Sequence, residues 1–224
     1  MHAVGIVAAA GSGLRLGADR PKALVPLAGR PLVAWSVDTL LGGGVAEVVV
    51  AVPAHELAAF AAVLPPEARV VVGGATRTAS VRAALAAVTG PGHPAPDAVL
   101  VHDAARPLTP PEVVTRVLAA LADGAPAVVP VLPVVDTTVS VDGDGVVTGA
   151  LPREVLRRVQ TPQGFAGAVL VDAYDRLPDG AELTDDAAVV RAAGVPVATV
   201  AGDERAAKVT VPHDLVLAEL QVPR

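Results

Sequence analysis

The stretch Gly5–Lys22, GIVAAAGSGLRLGADRPK, starts as an apolar run and then turns into glycine, small side chains and basic residues, among them Arg15 and Lys22. Val4 to Ala10 reads as a strand buried on both faces, followed by a glycine-rich loop. Pro31 to Leu41 then reads as a helix stopped by Gly42-Gly43-Gly44. Working outward, strands are expected at Val45–Val52, Arg69–Val72, Val99–Val101 and Ala127–Val131. Helices at His55–Val63, Arg77–Val88 and Pro110 to about Ala122 alternate with them. This order predicts an α/β fold, a Rossmann-like and mostly parallel sheet covered by helices on both faces. The alternation stops at Asp136–Arg153, where two short strands flank Asp142-Gly143-Asp144-Gly145 and read as a protruding β-hairpin arm. Helices near Ala166–Leu177 and Thr184–Ala193, a strand at Val195–Val200 and a helix at Pro212–Leu220 complete the chain. Residues 1–224 are read as a single domain, with the arm at about 136–153.

Apolar residues make up 52% of the 224, yet only two Phe, one Trp and one Tyr are present. The core must be aliphatic, and aromatic stacking cannot be the main way of holding a base. A net charge of −6 argues against broad binding to a nucleic-acid backbone. The absence of cysteine excludes disulfides, thiol catalysis and thiolate metal sites, and makes a cytoplasmic address the expectation. No Lys or Arg precedes the short N-terminal apolar run, so secretion is not expected. No run approaches the roughly 18 apolar residues that span a bilayer, so no membrane partner is expected either.

Ligands of open α/β sheets sit at the carboxyl ends of strands, where loop and helix N–H groups meet anions. The loop after the first strand is such a place. Its spacing departs from the dinucleotide fingerprint, because Gly11 and Gly13 are followed by Leu16, with Gly17 one residue late. It departs from the ATPase loop too, since Lys22 stands between Pro21 and Ala23. What remains is a loop whose amides can wrap a triphosphate, with Arg15 and Lys22 able to point into one site. The chain uses Arg fifteen times and Lys only at Lys22 and Lys208, which hints that each surviving lysine serves as a compact ammonium.

AAAGSGLRLGADRPK resembles the nucleotide-binding signature of nucleotidyltransferases that join a sugar or polyol phosphate to a nucleoside triphosphate. GGATRTASV from Gly73, VHDAARPL from Val101, VVDTT from Val134, RVQTPQGF from Arg158, LTDDAAVV from Leu183 and KVTVPHDL from Lys208 narrow the resemblance to the 2-C-methyl-D-erythritol 4-phosphate cytidylyltransferase family. The resemblance implies transfer of CMP from CTP to methylerythritol phosphate with loss of pyrophosphate, a Mg²⁺ requirement, a role in isoprenoid-precursor synthesis and a homodimer joined through the arm. Carried over residue by residue, Arg15 and Lys22 match the pair that stabilises the transition state, and Lys208 matches a further cation near the phosphates. Ala9, Ala10, Gly11, Gly13, Gly74, Ser80 and Ala104 match nucleotide-binding positions. Asp103 matches the metal-binding aspartate, and Arg106, Thr137, Arg153, Thr161 and Thr184 match positions associated with the polyol phosphate. The chain departs from the family at Ala75, where an acidic residue is frequent, and at Ala206, where asparagine is frequent.

The residues fit that chemistry. Phosphate attack on the α-phosphorus brings two anions together, so the protein must position the reactants and neutralise charge. Asp103 follows a strand at its carboxyl end, where one carboxylate suffices for Mg²⁺ if phosphates and water complete the shell. Asp185 and Asp186 read as a helix start rather than as metal ligands. His102 reads as a packed histidine, because a phosphate nucleophile needs no general base. With stacking scarce, a tight pocket around Ala9, Gly74 and Ser80 is expected to choose a pyrimidine by size. A ribitol 5-phosphate cytidylyltransferase and a non-catalytic nucleotide-binding regulator are the alternatives, the first separated by acceptor and the second by pyrophosphate release.

Overall fold

The computed structural model describes residues 1–10, 20–90, 95–178, 180–181 and 183–222. The expected order of elements is present. β1 (Ala3–Ala8) is followed by a two-residue ribbon, β2 (Pro26–Leu27) with β3 (Arg30–Pro31), and by α1 (Leu32–Gly42). Gly44, at φ +101°, takes the left-handed conformation that turns the chain from α1 toward β4 (Glu47–Val52). Then come α2 (Leu57–Ala61), β5 (Ala68–Val72), α3 (Arg77–Thr89), β6 (Ala98–Asp103), α4 (Pro111–Ala122) and β7 (Ala127–Pro133). The arm is β8 (Thr138–Val141) and β9 (Val147–Leu151). β10 (Arg157–Val159), β11 (Gln163–Ala166), α5 (Gly167–Arg176), α6 (Asp186–Ala192), β12 (Ala198–Ala201) and α7 (Pro212–Gln221) follow.

Among the described residues eight strands form one sheet in the order β10-β7-β11-β6-β1-β4-β5, with β12 also paired to β7. The β5-β4-β1-β6 half is parallel, as is the β12–β7 pair. β11 was not anticipated as a strand. It enters antiparallel between β6 and β7, and β10 pairs antiparallel with β7, so the sheet is mixed.

The valine runs are explained by the pleat. Successive side chains face opposite sides of the sheet, and both sides are covered, so every position must be apolar. Val7, Val50 and Leu100 enter one core with Val33, Val37 and Leu40 of α1 and Val114 and Val117 of α4. Their neighbours Ile6, Val49 and Val99 enter the other, with Val81 and Leu85 of α3, Leu170 and Tyr174 of α5 and Val189 of α6. Among the described residues no helix is long and apolar enough to cross a membrane.

α4 lies so close on β11 that a Cβ at Gly164 would collide with Val117 Cγ1 and come within 3.0 Å of Leu121 Cδ1. Gly164→Ala is therefore expected to destabilise the protein by about 2 kcal/mol through overpacking, read as a lower midpoint in urea unfolding.

Candidate active site

β1 is the switch point of the sheet, with β4 on one side and β6 on the other, and the crevice beyond its carboxyl end is where such folds bind ligands. Ala8 of β1 is in register with Asp103 of β6. The ladder continues past the strands, since the Ala9 N–H donates to Ala51 O at 2.9 Å and the Ala104 N–H to Ala8 O at 3.4 Å. The loops after β1, β5 and β6 thus open on one edge. A Cβ at Gly73 would lie 3.1 Å from Ala10 Cβ and 2.9 Å from Ser80 Oγ, so glycine allows the β5 loop to meet both. Ser80 Oγ accepts from the Gly74 N–H at 3.1 Å and donates to Thr76 O at 2.8 Å, which fixes the loop on the first turn of α3. Ala10, Gly74 and Ser80 therefore meet around this loop, while Ala9 and Ala104 are buried in the core that packs on α1. Gly11, Gly13 and Arg15 lie outside the described residues.

At the end of β6 the Asp103 carboxylate gathers three cations. Lys208 Nζ is 2.7 Å from Oδ2, Arg77 Nε is 3.3 Å from Oδ1 and Arg106 Nε is 3.9 Å from Oδ2. Burial alone would push this carboxyl up; Arg77, Lys208 and Arg106 outweigh it and hold Asp103 well below the usual carboxylate range. Lys208 is aimed there by its backbone. The Val209 N–H donates to Ala105 O at 2.8 Å and Arg106 Nη1 to Ala206 O at 2.6 Å, which lays residues 206–209 beside the β6 end. Ala206, a family departure in sequence, is fully buried and serves through its carbonyl. Lys22 opens a short turn after Pro21. Asp214, at the head of α7, is held below its ordinary range mainly by the Val211 and Thr210 N–H groups, with Lys22 among the smaller contributors.

The TPQ segment works beneath the site rather than in the open. Thr161 is buried; its Oγ1 accepts from the Asp103 N–H at 3.1 Å and lies 2.8 Å from His102 Nδ1. Burial pushes the His102 ring down to about 4, so the ring is neutral at pH 7 and suits packing, as expected. Gln163 Nε2 donates to Asp185 Oδ2 at 2.8 Å, and Gln163 Oε1 accepts from the Ala187 N–H at 2.9 Å, tying β11 to the start of α6. Asp185 is the N-cap of α6, as the sequence suggests, accepting from the Ala188 N–H at 2.8 Å.

The structure thus brings Asp103, Lys208, Arg106 and Thr161 together. Thr137 and Arg153 are exposed on the arm, where Arg153 Nη1 donates to Val135 O at 3.1 Å, and Thr184 is exposed before the α6 cap. None of these three bonds to the Asp103 cluster among the described residues. Sequence reasoning missed Arg77, which bonds Asp103 and also Asp186, with Nη2 2.7 Å from Asp186 Oδ2. Its signal was available, because a cation in the first turn of a helix opposes the macrodipole and needs a tertiary reason. Arg77, Arg106 and Lys208 outnumber Asp103 and Asp186, so the site is locally positive on a chain of net charge −6. Such a pocket attracts phosphate anions.

The 2-C-methyl-D-erythritol 4-phosphate cytidylyltransferase family matches residues 3–224. A relative of that name from Nocardia farcinica is 53% identical over 224 residues, which is 99% of this chain and 94% of the relative. Another, from Frankia casuarinae, is 52% identical over 220 residues, 98% of this chain and 80% of its own. The crystal structure of 2-C-methyl-D-erythritol 4-phosphate cytidylyltransferase from Thermus thermophilus is 41% identical, covers 99% of this chain and 98% of that one, and superposes with a TM-score of 0.79.

Thr161→Val leaves the Asp103 N–H and the His102 ring short of a partner and should cost roughly 1–3 kcal/mol, measured by urea unfolding. His102 carries a pH signature as well. The folded ring titrates near 4 and the unfolded one near 6.5, so between those values the unfolded chain binds the extra proton. Stability should therefore fall by roughly 3 kcal/mol as pH drops through that window, while the His102 ring-proton NMR shift stays flat from pH 8 to about 5.5.

Proposed function

The chain belongs to the 2-C-methyl-D-erythritol 4-phosphate cytidylyltransferase family, and from that membership we propose how its own residues carry the reaction. The enzyme transfers CMP from CTP to 2-C-methyl-D-erythritol 4-phosphate, giving 4-diphosphocytidyl-2-C-methyl-D-erythritol and pyrophosphate for isoprenoid-precursor synthesis. A phosphate oxygen of the acceptor bonds to the α-phosphorus as the bond from that phosphorus to the bridging oxygen of pyrophosphate breaks. No covalent enzyme intermediate is needed, and the obstacle is the meeting of two anions.

The observation that carries the reading is the Asp103 carboxylate held among Lys208, Arg77 and Arg106 beside the Ala9–Ala10 and Gly73–Gly74 loops. We assign nucleotide binding to Ala9, Ala10, Gly11, Gly13, Gly74, Ser80 and Ala104. Arg15 and Lys22 stabilise charge that builds on the phosphates. Lys208 is half-exposed on a flexible stem, so it can exchange Asp103 for a phosphate oxygen. Arg106, Thr137, Arg153, Thr161 and Thr184 surround the polyol phosphate, Thr161 from beneath through Asp103 and the others by their polar ends. A fork such as that of Arg153 suits bidentate phosphate binding.

The donor set fits Mg²⁺, which typically takes one or two carboxylates and leaves the remaining positions to phosphates and water. Asp103 would hold it. Among the described residues there is no cluster of three acidic or histidine side chains, and phosphates and water suit the other positions. When bound, the ion neutralises phosphate charge. Asp103, already ionised well below neutral pH, is ready to receive it.

The arm supports a homodimer. Both of its strands are exposed, with Val139 at 42%, Val141 at 57%, Val147 at 60% and Leu151 at 47% relative exposure, and a lone two-stranded hairpin is marginal in water. A second copy would cover these side chains and bring Thr137 and Arg153 to a neighbouring site. The 224 residues are read as one nucleotidyltransferase domain with this arm, working in the cytoplasm, in keeping with a chain free of cysteine.

The test is an acceptor panel with pyrophosphate readout. Turnover is expected with CTP, Mg²⁺ and 2-C-methyl-D-erythritol 4-phosphate; equal turnover with ribitol 5-phosphate, or of ATP for CTP, would overturn the assigned specificity. Lys22→Ala and Asp103→Asn should each lower kcat on the order of 10²–10³. Val139→Asp with Val147→Asp should shift the protein to monomer in sedimentation and raise KM for the acceptor.

A further inference from the structure

We propose that Arg77, held from beneath by the buried Asp186 and Tyr174, is a positioning residue that fixes the orientation of the Asp103 carboxylate for the transfer reaction. The inference rests on the assignment of Asp103 to the reactive site. Its starting point is the division of the guanidinium between two carboxylates. Nε faces Asp103 Oδ1 at 3.3 Å, while Nη2 faces Asp186 Oδ2 at 2.7 Å. The planar fork therefore fixes one carboxylate relative to the other, which a lysine's point charge cannot do.

Asp186 is built for this and for nothing at the surface. Its side chain is fully buried, Oδ2 is taken by Arg77, and Oδ1 accepts from Tyr174 Oη at 2.7 Å. Taking a carboxylate out of water is costly even when it is paired, and well-packed apolar replacements of buried ion pairs are often as stable or more so. Fold stability is thus a poor reason for the arrangement. Helix energetics give no reason either, because Arg77 occupies the first position of α3, where the dipole disfavours a cation. What the pair does achieve is a fixed footing under Asp103.

The two oxygens of Asp103 have unlike partners. Oδ1 faces Arg77, whose other edge is locked into the core between α3, α5 and α6. Oδ2 faces Lys208, whose side chain is 44% exposed, with Arg106 Nε farther off at 3.9 Å. Oδ1 is thus tied through Arg77 to the buried Asp186, whereas the nearest cation on Oδ2 is open to solvent. Asp186 is itself placed by Asp185, which caps α6 and accepts from Gln163 of β11. The line from β11 through α6 to Arg77 thus ends on the group that must be aimed.

Misplacing a reacting group by about 1 Å can cost around 10² in rate. Arg77→Lys and the isosteric Asp186→Asn should each lower kcat about 10- to 100-fold and leave KM for CTP within about threefold. Tyr174→Phe, the mildest change, should lower kcat a few-fold with the same unchanged KM. Binding of Mn²⁺ in the presence of CTP, read from the free-ion EPR signal, should weaken in parallel with kcat, a change that loss of stability alone would not produce in folded protein. Should Arg77→Lys fail to fold, Asp186→Asn and Tyr174→Phe carry the same test. An unchanged kcat in the folded variants, or a raised KM for CTP at unchanged kcat, overturns the proposal. Asp103→Asn separates it from its premise: wild-type turnover there removes the assignment of Asp103, whereas a crippled Asp103→Asn beside normal Arg77→Lys and Asp186→Asn removes the positioning role alone.

Discussion

The ionised Asp103 at the carboxyl end of β6 is the constraint around which this edge of the molecule is organised. A carboxylate with little solvent needs cations, and they come from α3, from the turn after β6 and from the segment before α7. Each must therefore be delivered by backbone. Arg106 is bonded to Ala206 O, Val209 to Ala105 O, and Thr161 holds the Asp103 N–H, so parts far apart in the chain are pinned within one patch. The patch carries more positive than negative charge, a setting that favours anions such as phosphates.

The fold was legible because burial on both faces leaves a plain signal. Val48 to Val52 has no polar residue to place, and the glycine triplet that begins on the last residue of α1 marks a stop that the Gly44 backbone honours. The hairpin was legible from its Asp-Gly turn, in which Asp142 Oδ1 accepts from the Asp144 and Val146 N–H groups. β11 was not legible. Four residues, Gln163–Ala166, carry no alternation, and they form a strand because β6 and β7 offer unpaired edges on either side.

The site divides in the same way. Asp103, Lys208 and Arg106 stood in recognisable segments, and the fold brings both cations to the carboxylate. Arg77 and Asp186 were hidden by local explanations, a helix start in each case. Asp185 does cap its helix, but the next residue turns inward, because a helix rotates by about 100° per position and adjacent side chains face different ways. Only the packing of α5 and α6 against α3 reveals that the second aspartate faces a guanidinium. Thr161 stood in a recognisable segment too, but its bracing of Asp103 and His102 shows only in the fold.

Tyr174 rises from α5 within an aliphatic layer, and its hydroxyl is the last polar atom before Asp186. Mutational drift in that layer, at residues such as Leu170 or Val189 that meet no nucleotide, would tilt the phenol and so retune the chemistry from a distance. Lineages adapting to heat or cold could adjust turnover through greasy substitutions alone, leaving every phosphate-facing side chain untouched.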